Sequence, residues 1–149
     1  MLVKNSLGLE IELMFSPKCI ANFLVFQYQN ITILNVHRND YYDKKTGKWN
    51  NEKGDLIIEE KNNFDIIIGD LNVHENEEDY GKKFITKMEE THIDIAKGTC
   101  FENDPTRTWG KHRIDRVYIR EKLYENNYNF NHVEIEFSDH NGISFDYKF

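Results

Sequence analysis

The sequence predicts a layered α/β (α+β) domain, and three patterns carry that expectation. FDIIIG (64–69) is a short continuous apolar run that stops at Gly69-Asp70, the signature of a strand buried on both faces. RIDRVYI (113–119), HVEIEF (132–137) and GISFDYKF (142–149) alternate apolar and polar residues, as strands with one buried face do. ENEEDYGKKFITKMEETH (75–92) places Tyr80, Phe84 and Met88 at helical spacing, with acids leading and lysines following. Strands interleaved with one or two helices pack as layers around one core.

Taken in order, the elements begin with FLVFQYQNITILNVH (23–37), two apolar runs flanking Gln29-Asn30 and hence a hairpin with strands near 23–28 and 31–36. Residues 39–55 are polar and turn-rich and read as a long loop, with a helix opening near Asn51 and ending in LIIEEKNN (56–63). The buried strand 64–69 and the helix 75–92 follow. Residues 93–110 contain Gly98, Pro105 and Gly110 and read as a short helical turn and then loop. Strands at 113–119, 132–137 and 142–148 complete the chain. No repeat or linker divides it, so a single domain spans 1–149.

Of the 149 residues, 39% are apolar and 30% charged, which excludes collagen-like, low-complexity and disordered chains. No apolar run has the length of a membrane span, and the apolar N-terminal stretch contains acids, unlike a signal peptide. Cys19 and Cys100 fit no zinc spacing and are expected as free, buried thiols. An intracellular protein, cytoplasmic or nuclear, is the expectation. A net charge of −7 argues against a general nucleic-acid coat, though not against an enzyme that acts on nucleic acid.

Polar groups fit for metal or proton chemistry gather at the ends of three strands: Asp70 and Asn72 after FDIIIG, Asp115 inside RIDRVYI, and Asp139-His140 after VEIEF. Asp70 and Asn72 would face the same way in extended backbone. Together they offer a carboxylate and an amide, the oxygen-rich donors that Mg²⁺ prefers. His140 can serve as base, acid or charge stabiliser. His37, ending the ITILNV run, adds a second imidazole.

GDLNVH (69–74), RIDRVYI (113–119) and SDHNGISFDY (138–147), in this order and preceded by ITILNVHR (31–38), resemble the motifs of the endonuclease/exonuclease/phosphatase superfamily, the DNase I-like fold. TRTWGKHRIDRVYI (106–119) resembles the branch of abasic-site and non-LTR retrotransposon endonucleases. The resemblance covers roughly residues 7–149. It implies a DNase I-like β-sandwich with flanking helices and Mg²⁺- or Mn²⁺-dependent phosphodiester hydrolysis, on DNA ahead of RNA.

Carried over residue by residue, His140 stabilises the phosphorane-like charge, Asp115 orients His140, and Asp70 and Asn72 orient the attacking water and contact phosphate or metal. Asp139 is implied as a metal ligand alongside Asp70 and Asn72, and His37 as a group near the phosphate. Thr106, Thr108, Lys111 and Arg113 are expected to bind the substrate backbone. The sequence departs from the family in lacking the early Asn and the Gln-Glu motif that supply metal ligands. LGLEIELMFSP (7–17) resembles the strand that follows that motif, and Glu10 and Glu12 are poor substitutes by position.

The chain therefore looks like the C-terminal half to three-fifths of the fold, a partial sandwich with an incomplete metal site. Its exposed sheet is expected to be covered by a second copy, an N-terminal partner chain or a larger assembly. Three functions follow: a nuclease, a degenerate relative serving as a protein- or nucleic-acid-binding module or as half of a split nuclease, and a phosphatase of the same superfamily.

Overall fold

The computed structural model describes residues 23–28, 30–38, 42–43, 45–46, 48–49, 51–74, 80–124 and 129–146. The strands are β1 (Phe23–Tyr28), β2 (Ile31–His37), β3 (Tyr42–Asp43), β4 (Lys48–Trp49), β5 (Ile66–Asp70), β6 (His92–Asp94), β7 (Asp115–Arg120), β8 (Asn131–Val133) and β9 (Gly142–Ser144). Two α-helices, α1 (Glu52–Glu60) and α2 (Tyr80–Glu89), lie between them. The fold is mixed α/β. One five-stranded sheet has the order β1-β2-β5-β7-β6, β3–β4 and β8–β9 form two-stranded pairs, and no barrel closes among the described residues. No helix among the described residues is long and apolar enough to cross a membrane.

Alternation along β5 explains why its sequence is apolar throughout. Ile67 faces a core with Leu34, Val36, Ile57, Leu71, Phe84, Met88 and Tyr118, beneath α1 and α2. Ile66, with Ile68 packed beside it, joins a second core with Ile95, Val117, Ile119 and Phe130 on the opposite face. β2 and β5 run parallel, which requires a crossover, and α1 lies on it. The remaining pairings in this sheet are antiparallel, β1–β2 as the expected hairpin.

The helices are held by apolar stripes and by specific polar ties. Phe84 and Met88 of α2 are fully buried, and the Arg38 guanidinium lies 4.9 Å from the Tyr80 ring centroid. Buried Lys61, in the 3-10 turn Lys61–Asn63, donates to the carbonyl of Lys87 in the last turn of α2, where the helix leaves carbonyls unpaired.

Several boundaries differ from the sequence expectation. HVEIEF is a strand only as far as Val133; residues 134–137 are exposed, and the Ser138 amide closes a turn onto the Ile135 carbonyl. Alternation there reflects chain on a wet surface rather than a second sheet face. GISFDYKF is a strand at Gly142–Ser144, Phe145 and Asp146 lie outside it, and 147–149 fall outside the described residues. His92–Asp94, at the end of the expected helix 75–92 and the start of the expected turn, forms the edge strand β6 on β7. The helix itself is described from Tyr80 to Glu89. Cys100 is free, as expected, but exposed rather than buried. Cys19 and LGLEIELMFSP lie outside the described residues.

Gly69 sets how closely β2 and β5 approach. Its φ is +131°, and a Cβ there would lie 2.0 Å from the Val36 carbonyl oxygen. Gly69→Ala is expected to destabilise the fold by about 3 kcal/mol through backbone strain and a forced separation of these strands. Urea unfolding checks this; an unchanged midpoint would show that the two strands part at little cost.

Candidate active site

Strand register brings the first three groups of the site abreast. His37 of β2 pairs with Asp70 of β5, and Asp70 pairs with Asp115 of β7, so the three form a row across neighbouring strands at one end of the sheet. The His37 Nε2 atom lies 3.8 Å from Asp70 Oδ2. His140 reaches the row from the segment between β8 and β9, with Nδ1 3.0 Å from Asp115 Oδ2. A carboxylate only accepts, so Nδ1 carries the proton and Nε2 is the nitrogen left for chemistry. His37, Asp70, Asn72, Asp115, Asp139 and His140 line one cavity of about 530 Å³, together with Arg107 and Ile114.

Asn72 is not in extended backbone. Its φ is +47°, a left-handed conformation that Asn tolerates, and its amide donates to Asp70 Oδ1 at 2.8 Å. An Asx turn, rather than strand alternation, places Asn72 beside Asp70. The turn also fixes the Asp70 carboxylate. Burial and the neighbouring Asp115 push the Asp70 pKa above its ordinary 3.8, against the smaller opposing pull of the Asn72 amide and the two imidazoles.

Asp70, Asp115 and His140 each offer a ligand atom, all within 4.8 Å of one another. With Asn72 beside them the donors are mostly hard oxygens, and two carboxylates crowd each other, a charge arrangement that a divalent cation relieves. The group could thus hold a metal ion. The set differs from the one the resemblance implies, because Asp139 is turned to Arg107: Nη2 and Nε lie 2.7 and 2.8 Å from Asp139 Oδ2. This guanidinium holds the Asp139 carboxyl below its usual range.

The expected substrate-binding residues separate. Thr106 is fully buried, and its hydroxyl accepts the amides of Ile114 and Asp115, each at 3.0 Å. It holds the start of β7 rather than a substrate. Arg113 is withdrawn from any substrate as well: it is buried, forked onto Asp94 at 2.7 and 3.0 Å, and its Nε donates to the Glu102 carbonyl. Thr108 and Lys111 are exposed and lie outside the cavity lining. The Thr108 amide donates to the Asp139 carbonyl at 2.8 Å. Arg107, which sequence reasoning passed over, lines the cavity. Its one signal is the basic character of TRTWGKHR, which does not tell Arg107 from Lys111 or Arg113 without the tertiary register.

Compared with protein-family models and with curated proteins, the sequence matches none.

Two outcomes follow. Thr106→Val is expected to cost about 1–3 kcal/mol by leaving two buried amides unpaired, read by urea unfolding, and to weaken the Asp115–His140 contact, read as a shift in the His140 imidazole NMR signals. An unperturbed imidazole in a folded Thr106→Val chain would uncouple Thr106 from the site. Because a raised pKa means the ionised form is disfavoured, Asp70 takes up a proton before an ordinary aspartate does as pH falls. Mn²⁺ affinity should therefore begin to weaken at a pH above the ordinary carboxylate range, and Asp70→Asn should remove that step. The same substitution relieves the repulsion with Asp115, so the metal-free variant should melt slightly higher at neutral pH. Calorimetric titration across pH and thermal melts check both.

Proposed function

We propose that this cavity is a centre for divalent-metal-dependent phosphodiester hydrolysis, with DNA as the substrate, on a chain related to the endonuclease/exonuclease/phosphatase superfamily. The observation that carries the reading is the His140–Asp115 hydrogen bond beside Asp70, in a cavity that also contains Asn72 and Asp139. A DNase I-like sandwich belongs to the same proposal. Supporting it is the five-stranded sheet, with helices over one face and a second apolar core over the other.

Asp115 directs His140 so that Nε2 faces the phosphate, where the ring carrying both protons would donate its Nε2–H to the developing negative charge while Nδ1–H stays on Asp115. Asp70, anchored by the Asn72 amide, is placed to orient a water for attack. Asp70 and Asp115 would hold the ion, with Asn72 beside them and Asp139 able to join once it parts from Arg107, and the bound ion would supply neutralisation of the phosphate charge. His37 stands at the rim on the Asp70 side.

A second reading has its own observation. Trp109 is 89% and Phe137 93% exposed, and Val133 and Ile135 are also exposed. Large apolar side chains exposed to water suit a binding module that docks a protein or nucleic acid without cleaving it.

Plasmid nicking and hydrolysis of an activated phosphodiester in Mg²⁺ and Mn²⁺, run beside His140→Ala, decide between them. With no Gln-Glu motif in the sequence, the expected rate is weak, about a thousandfold below a complete centre if about 4 kcal/mol of metal stabilisation is lost. Loss of His140 should remove about a hundredfold of what remains. A rate untouched by His140→Ala, or no hydrolysis with Mn²⁺ bound, would leave the binding module. Activity that appears only on adding a second polypeptide, and vanishes in His140→Ala, would identify a split enzyme.

A further inference from the structure

We propose that Arg107 forms a phosphate-binding subsite of the cavity, held closed by Asp139, and that occupying Asp139 with a cation releases it. This rests on the hydrolytic reading for its ligand class, a phosphate group with free non-bridging oxygens. Arg107 is the one permanently charged cation among the described residues that line the cavity. It shares the lining with the carboxylates of Asp70, Asp115 and Asp139, so with neutral imidazoles the cavity is net negative and repels an anion. Its guanidinium already turns Nη2 and Nε toward an anionic oxygen, 2.7 and 2.8 Å from Asp139 Oδ2, and the same two donors would fork onto two oxygens of a phosphate.

The latch is local and reversible. Both side chains are 51% exposed, so the pair is solvated and costs little to open. The backbone beneath stays joined, because residues 107 and 140 form a β-bridge and the Thr108 amide holds the Asp139 carbonyl. Arg107 can therefore change partner without moving the loops. A cation that takes Asp139 removes a competing carboxylate and lowers the cavity's negative charge in one step. Cation and phosphate then bind cooperatively, and each raises the affinity of the other by the same factor.

The test uses the full chain, with the thymidine dinucleotide TpT as a diester probe and inorganic phosphate as a free-phosphate probe, both by calorimetry without metal. Asp139→Ala is expected to bind at least one probe about threefold to fivefold more tightly than wild type, as release from an exposed ion pair allows. The probe that gains identifies the source of the phosphate. The double variant Arg107→Gln/Asp139→Ala should lose that gain. A gain that survives in the double variant would come from charge removal alone and overturns the subsite, as does no gain with either probe. Mn²⁺ titration followed by electron paramagnetic resonance should show Arg107→Gln binding Mn²⁺ more tightly than wild type; equal or weaker binding overturns the latch. If Mn²⁺ does not bind wild type at all but the Arg107-dependent gain persists, the phosphate subsite stands and the metal-dependent reading falls.

Discussion

A buried carboxylate, Asp94, is the constraint on which the site depends. It lies at the end of β6 and takes Arg113 on both oxygens and Arg116 at 2.9 Å, with the Ala96 amide 3.2 Å from Oδ1. All three charged side chains are out of water. Such a cluster is not evidence of stability over an apolar alternative, but removing one partner strands a charge in the core at a cost of about 3–5 kcal/mol. Its consequence is positional. Arg113 and Arg116 bracket Asp115, so the ion cluster pins the stretch of chain from which Asp115 projects. Through the Arg113 bond to the Glu102 carbonyl it also pins the loop that brings Thr106 and Arg107 to the cavity.

The candidate site is then a product of register. Pairing of β2 with β5 and of β5 with β7 sets His37, Asp70 and Asp115 abreast, two carboxylates and an imidazole drawn from distant stretches of sequence. Burial, with the Asp115 carboxylate alongside, disfavours the ionised form of Asp70 and raises its pKa. The Asn72 amide and the imidazoles offset part of it. What is left is a lining in which carboxylates outnumber the single guanidinium of Arg107.

Much of this was legible in the sequence. The hairpin at 23–37, the strand at 64–69 and the stripe of Tyr80, Phe84 and Met88 follow from periodicity, because burial selects residue type directly. Strand-end placement brought attention to Asp70, Asn72, Asp115, Asp139 and His140. Other features depend on tertiary pairing that leaves no local trace. β6 is three residues long, too short for a period to register, and exists because β7 offers it an edge. Arg113 and Thr106 look like surface contacts in a basic, hydroxyl-rich stretch, and only burial against Asp94 and the amides of Ile114 and Asp115 assigns them to the scaffold. Arg107 differs from its basic neighbours solely in where the 107–140 bridge puts it.

The site divides into a rigid half and an adjustable half. Asp70 and Asp115 stand on core strands, and Gly69 and Asn72, both at positive φ, flank Asp70 on either side. Strained conformations persist only where surrounding structure over-determines them, and here the ladders of β2 and β7 do so. Asp139 and Arg107 stand on exposed loops. What couples the two halves is Thr106: its hydroxyl holds the amides that begin β7, while its carbonyl accepts the Asn141 amide at 2.8 Å from the loop that carries His140. One buried threonine thus links the position of the core strand to the His140 imidazole. The Asp115–His140 contact is thereby tied to the core strand, whereas the Arg107–Asp139 pair stands in solvent with both side chains half exposed.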